Sequence, residues 1–124
     1  MLGIDYGEKR VGVAVSDEDG TMAFPKTVLP SGSALPALLR DMAQEVGIKH
    51  FVIGESRDLK GEANPIMAAI TELKSALELL GFEVSLEPEY LTSVQAERLQ
   101  GDTEKIDASA AAIILQSYLD RHRT

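Results

Sequence analysis

The hydrophobic period of the chain changes near residue 33, and this change constrains the fold more than any other feature. Before it, apolar and polar residues alternate, as at Val11 and Val13, which is the period of β-strands with one buried face. After it, apolar residues recur every three or four positions, as at Leu35 and Leu39, which is the period of a helix. The first third therefore predicts three antiparallel strands, and helices follow.

Two further apolar segments, 51–54 and 82–86, lie between helical stripes and read as strands. Helices placed between strands imply parallel crossover connections. The predicted order is βββαβαβα, so the fold class is α/β, a mixed five-stranded sheet flanked by helices. With 124 residues, we expect a single domain, 1–124, built on one core.

The helix boundaries follow from capping signals and apolar runs. Ser33 is a suitable N-cap for the first helix, and Gly47 is a suitable stop. A short helix is predicted around 92–99. A closing helix is predicted from about Asp107 to Tyr118, largely buried because residues 108–115 are apolar almost all round.

Composition narrows the class of function. The formal net charge is −8, which repels phosphate backbones at long range and argues against tight, non-specific DNA binding. The chain has no cysteine, so it has no disulfide and no thiolate metal site. It also has no apolar run near the roughly 20 residues of a membrane helix. We expect a cytoplasmic protein with no membrane partner.

Three acidic residues lie at the ends of apolar segments: Asp5, Glu89 and Asp107. A carboxylate in such a place is costly to desolvate unless a cation or hydrogen-bond donors meet it. Three converging carboxylates predict a site for a hard divalent cation, Mg²⁺ or Mn²⁺. Each also has a simpler interpretation: Asp5 could form an Asx turn, Glu89 could be a solvated loop acid, and Asp107 could cap the last helix.

The opening of the chain resembles the signature of the YqgF (RuvX) family, in residues 3–7, Gly-Ile-Asp-Tyr-Gly, and 9–17, Lys-Arg-Val-Gly-Val-Ala-Val-Ser-Asp. Residues 52–54 and 105–116 extend the similarity over nearly the whole chain. The resemblance implies a ribonuclease-H-like fold. It also implies a nuclease that resolves Holliday junctions or matures the 5′ end of 16S ribosomal RNA.

The resemblance implies that Asp5, Glu89 and Asp107 are the catalytic metal ligands. Two hard cations about 4 Å apart can activate water and stabilise the leaving oxygen of a phosphodiester. Lys9 and Arg10, in the hairpin after Asp5, are candidate phosphate contacts, and they could equally be a solvated pair of turn residues.

Further candidate substrate contacts are Arg57, Lys60 and Thr92. The simpler interpretation of both basic residues, as ordinary loop charges, is the favoured one, and Thr92 could equally cap a helix. His50 and His122 are isolated in the sequence and are not predicted to bind metal. The expected partner is nucleic acid, either structured RNA or branched DNA, with a homodimer on a four-way junction because symmetric cutting needs two active sites.

Two alternatives remain open at this stage. The family usually has Asp-Glu-Arg where this chain has Pro88-Glu89-Tyr90, which favours a catalytically weakened module that binds nucleic acid without cutting it. The spacing of Asp5, Gly7 and Gly12 also resembles the first phosphate loop of actin-like kinases and ATPases. Those enzymes need two such domains, and this chain has room for one.

Overall fold

A computed structural model describes residues 1–7, 9–56, 65–89 and 103–122. The strands are β1 (Leu2–Asp5), β2 (Arg10–Ser16), β3 (Ala23–Pro30), β4 (His50–Ser56) and β5 (Glu83–Glu89), and the helices are α1 (Leu35–Val46), α2 (Pro65–Leu79) and α3 (Thr103–His122). Their order, βββαβαβα, confirms the prediction. The helix predicted at 92–99 lies outside these ranges. Within them, no helix is both long and apolar enough to cross a membrane.

The five strands form one mixed sheet in the order β3-β2-β1-β4-β5. The pairs β1–β2 and β2–β3 are antiparallel, whereas β1–β4 and β4–β5 are parallel. Pro25 predicts either an edge strand or a break, because proline has no N–H to donate to a neighbouring strand. The strand β3 lies at the edge of the sheet. This arrangement brings the carboxyl ends of β1, β4 and β5 to one end of the sheet.

Each face of the sheet carries its own apolar cluster. Leu2 and Ile4 of β1 point into the cluster that also holds Leu35 and Leu39 of α1 and Leu77 of α2. The other face is covered by α3, through a second cluster with the following members: Ala14, Val52, Ala111, Ile114, Leu115 and Leu119. The closing helix is therefore largely buried, as predicted, although Ile113 remains 46% exposed.

The helix α3 lies almost directly on β1 at Gly3. A Cβ atom added to Gly3 would lie 2.6 Å from Cβ of Leu115 and 3.0 Å from the carbonyl oxygen of Ala111. Such separations are shorter than van der Waals contact, so only glycine permits this approach. The position of α3 over β1 is therefore set by a residue with no side chain.

Two predicted boundaries are wrong. Ala34, not Ser33, is the N-cap of α1, and it makes no side-chain cap hydrogen bond. The helix α3 begins at Thr103, before the predicted start at Asp107, because the prediction followed the apolar run and polar residues can also form the first turn of a helix. At its other end α1 does stop at Gly47, which takes the left-handed conformation with φ 72°.

Candidate active site

Asp5 is the last residue of β1 and is buried, with only 5% of its surface exposed. Ile4 points into the cluster beneath α1 and α2, so strand alternation turns Asp5 toward the face covered by α3. Asp5 has at least one polar or electrostatic partner. A charged group this deeply buried requires such compensation.

The register of the parallel strands relates Asp5 to β5. Ile4 is paired with Ile53, which is paired with Leu86. One residue further along, Asp5 is level with Gly54 and Glu87, which are paired with each other. Two strand spacings separate Asp5 from Glu87, or about 10 Å between Cα atoms.

Glu89 ends β5 and is paired with Ser56. The strand was predicted to stop at Leu86, but pairing with β4 extends it, so Glu89 lies within the ladder and not in a loop. The backbone of Glu89 therefore belongs to the sheet, which excludes the simpler interpretation of Glu89 as a loop residue. The result places the backbone of Glu89 at the same end of the sheet as Asp5.

Asp107 lies inside α3, beyond its first turn, because the helix begins at Thr103. The alternative that Asp107 caps this helix is therefore wrong. The later part of α3 contacts the amino ends of the strands, where Tyr118 meets His50. The earlier part, with Asp107 one turn before Ala111, consequently extends toward the carboxyl end of β1. The backbone thus brings three acidic positions to one end of the sheet.

The side chains that the structure describes include Asp5 but neither Glu89 nor Asp107. Among those described, no group of three histidine or acidic residues is close enough to hold a metal ion. The convergence of the three carboxylates therefore stays a prediction, supported by the backbone positions. Oxygen donors of this kind suit Mg²⁺ and Mn²⁺.

Lys9 and Arg10 lie at the same end of the sheet as Asp5. Lys9 is exposed, and its carbonyl oxygen accepts a hydrogen bond of 3.1 Å from the N–H of Ser31. Arg10 begins β2, is half-buried and makes polar contacts of its own. Arg57, Lys60 and Thr92 lie outside the described residues, so their roles stay predictions.

Sequence reasoning missed Glu87, which is 2% exposed. Its Oε2 accepts a hydrogen bond of 2.9 Å from the Ser117 hydroxyl and one of 3.1 Å from Nη1 of Arg121. These contacts join β5 to α3 two residues before Glu89. Ser85, two residues earlier in β5, contacts Tyr118 of α3, so strand alternation places Glu87 on the same face. No local pattern in the sequence marks Glu87 as buried.

His50 and His122, which are far apart in the sequence, both contact the ring of Tyr118. His50 makes an edge contact with Tyr118 at a centroid distance of 5.6 Å, and His122 lies 4.1 Å from the same ring. Burial lowers the pKa of His50, an effect that the nearby Glu83 carboxylate opposes. This group lies at the amino ends of the strands, away from Asp5.

Comparison with known proteins agrees with this architecture. The family model RuvX, described as a Holliday junction resolvase, matches residues 1–121. A relative in Chloroflexus aggregans, named as a candidate pre-16S rRNA nuclease, is 37% identical and the match covers 99% of this chain and 94% of that protein. A relative of the same name in Streptococcus mutans is 35% identical, with 98% and 97% covered.

A solved structure of Thermus thermophilus RuvC in complex with a Holliday junction substrate has a TM-score of 0.60 at 14% identity, covering 97% of this chain and 92% of that one. The likeness confirms the predicted ribonuclease-H-like α/β fold. The full-length relatives and the family model together support a nuclease function, the hydrolysis of phosphodiester bonds. The chain belongs to the RuvX family of Holliday junction resolvases.

Proposed function

We propose that this protein is a metal-dependent endonuclease, a single domain spanning 1–124 that acts in the cytoplasm. One observation carries the proposal: Asp5, an acidic residue that is only 5% exposed, ends the central strand of the sheet. The end of β5 and the first half of α3 approach the same end of the sheet. Asp5, Glu89 and Asp107 are the proposed ligands.

The donor set fits a hard cation. Carboxylate oxygens are ligands that Mg²⁺ and Mn²⁺ accept, and burial of Asp5 raises the free energy of its charge unless a positive partner is near. When bound, the cation would supply an activated water and neutralise charge on the leaving oxygen. It would also offset an acidic surface that otherwise repels a polyanion.

The remaining residues of the site bind and orient the substrate. Lys9 is exposed at the turn after β1, where its ammonium group can hold a phosphate next to the scissile one. Arg10, in the following strand, can donate two parallel hydrogen bonds to a phosphate. We propose that further contacts along the nucleic-acid strand come from Arg57, Lys60 and Thr92.

RNA is the favoured substrate. Relatives that match nearly the whole chain at 37% and 35% identity are named as candidate pre-16S rRNA nucleases. The structure bound to a Holliday junction is only 14% identical. A four-way junction remains the second substrate to test, and cutting it symmetrically would require two copies of the chain.

The test is cleavage of a structured precursor RNA and of a four-way DNA junction with Mg²⁺ or Mn²⁺. Asp5→Asn keeps the size of the side chain and removes its charge, so we expect cleavage to fall by at least a hundredfold while the circular dichroism spectrum is unchanged. Chelation of the metal should have the same effect. Asp41→Asn, on the exposed side of α1, is the matched control and should cut normally. Undiminished cleavage by Asp5→Asn would refute the assignment.

A second candidate function is binding of nucleic acid without cleavage. The observation that favours it is the replacement of the family's Asp and Arg by Pro88 and Tyr90 on either side of Glu89. Metal binding and RNA binding with no cleavage of either substrate would select this alternative. Tight binding of ATP would instead favour the kinase-like alternative.

A further inference from the structure

A cavity of about 320 Å³ opens between α1 and α2 at the same end of the sheet as Asp5. Its lining includes Tyr6, the residue that follows Asp5, together with Leu35 and Leu73 as apolar walls and Glu72 as a charged group. Leu35 and Leu73 are buried and belong to the cluster beneath the helices. Ligand pockets commonly have this size and this mixture of apolar walls with few polar groups.

Tyr6 is held at the mouth of this cavity. Its hydroxyl oxygen accepts a hydrogen bond of 3.2 Å from Ser31, and its ring packs against the buried cluster. Asp5 faces α3 and Tyr6 faces the opposite side, so the cavity and the proposed metal site lie on opposite faces of one sheet end. Asp5 and Tyr6 are consecutive in the chain, so both sites lie at the same end of the sheet.

The charge of the cavity selects the kind of group that it can hold. The first turn of α1 begins here, and helix N-termini attract anions. However, Pro36 removes one of its N–H donors, and the exposed acidic residue Glu72 lines the same space. A phosphate would therefore be repelled, whereas a flat, neutral group that carries N–H donors would be favoured.

We propose that this cavity binds an unpaired guanine base of the RNA strand, an inference that rests on the proposed nuclease function. The Watson–Crick edge of guanine presents two parallel N–H donors, which match the two oxygens of a carboxylate. Uracil presents one N–H between two carbonyl oxygens. These oxygens would be repelled by the negative charge of Glu72. Unpaired RNA bases are commonly read by stacking on an aromatic ring together with hydrogen bonds to this edge. The Tyr6 ring and the Glu72 carboxylate supply these two contacts.

The experiment measures binding of fluorescent pentaribonucleotides UUGUU and UUUUU in EDTA, so that it does not depend on metal or cleavage. For the wild-type protein we expect UUGUU to bind about tenfold more tightly, since only guanine makes the paired contact with Glu72. Glu72→Ala should reduce the preference to less than about twofold. Glu78→Ala, at an exposed position of the same helix, is the control and should retain it.

A second pair of variants tests the cavity itself. Ala69→Leu fills the space from a lining position, whereas Ala68→Leu adds the same volume at an exposed position. Ala69→Leu should lose the guanine preference and Ala68→Leu should keep it. Equal binding of both RNAs by the wild type, or a preference that survives in Glu72→Ala, would overturn the proposal.

These outcomes are distinguishable from failure of the proposed function. Metal-dependent cleavage by a protein that binds both pentanucleotides equally would remove the guanine pocket and leave the nuclease assignment intact. A guanine preference that depends on Glu72, in a protein that cleaves no substrate, would support the pocket and reject the nuclease assignment.

Discussion

Nη1 of Arg121 lies 3.0 Å from Oε1 and 3.1 Å from Oε2 of Glu87, so a cation near the end of α3 is paired with a carboxylate buried on β5. Oε2 receives well-directed hydrogen bonds, whereas Oε1 has no hydrogen-bond partner in the part of the chain that the structure describes. The Coulombic attraction of Arg121 therefore compensates the buried charge at Oε1.

Removal of Arg121 should destabilise the fold. In Arg121→Met the buried carboxylate keeps Ser117 as its one partner among the described residues, and we expect the free energy of unfolding to fall by about 2 kcal/mol. This is below the usual cost of breaking a buried pair because Arg121 is 55% exposed and is screened by solvent. Urea denaturation measures the loss.

The double variant Glu87→Leu with Arg121→Met removes both charges. We expect its stability to lie within about 1 kcal/mol of the wild type, because an apolar pair often replaces a buried ion pair without loss. An Arg121→Met protein as stable as the wild type would contradict this account.

Gly3→Ala should displace α3 from β1. The added methyl would lie 2.6 Å from Cβ of Leu115, and overpacking of this kind costs about 1–3 kcal/mol. Because α3 carries Asp107, we also expect weaker Mn²⁺ binding, measured by calorimetry.

Gly20→Ala is the control for Gly3→Ala. Gly20 has φ 69° with nothing within 4 Å of an added Cβ, so this variant should lose about 1 kcal/mol through backbone strain without weakening metal binding. Equal metal affinity in both variants would show that metal binding does not depend on the position of α3 over β1.

Lys9→Gln should weaken RNA binding in a salt-dependent manner. If Lys9 contacts a phosphate, the slope of log affinity against log salt concentration should decrease by about 1. Lys49→Gln makes the same change in charge at an exposed position before β4, at the opposite end of the sheet. Filter binding from 50 to about 200 mM salt measures both slopes. An identical slope for the two variants would exclude a local contact at Lys9.

His50 should make the stability depend on pH. Burial lowers its pKa below the ordinary value of 6.5 despite the opposing effect of Glu83. The unfolded chain therefore binds more protons than the folded one just below pH 6.5. The stabilising contribution of neutral His50 is present above this pH and is lost as pH falls toward the folded pKa.

Thermal denaturation between pH 8 and about pH 5 tests this sign. The wild type should lose stability on acidification, and His50→Gln, which cannot titrate, should lose less. Identical pH profiles for the two proteins would show that His50 is not the responsible group.

The sequence by itself determined the order of the elements, the edge position of β3 and the stop of α1 at Gly47. Each of these depends on a local property: a hydrophobic period, a missing N–H at Pro25, or the backbone freedom of glycine. The opening motif around Asp5 also sufficed to identify the family, because its residues are contiguous in the chain.

Only the tertiary structure decided features that join distant parts of the chain. Glu87 is buried because Ser117 and Arg121 meet it from another element. The strand β5 continues to Glu89 because β4 pairs with it. Tyr6 and Glu72 line one cavity because the fold brings together residues that are far apart in the sequence. Such contacts depend on the register and packing of elements far apart in sequence, and no local pattern of residues encodes them.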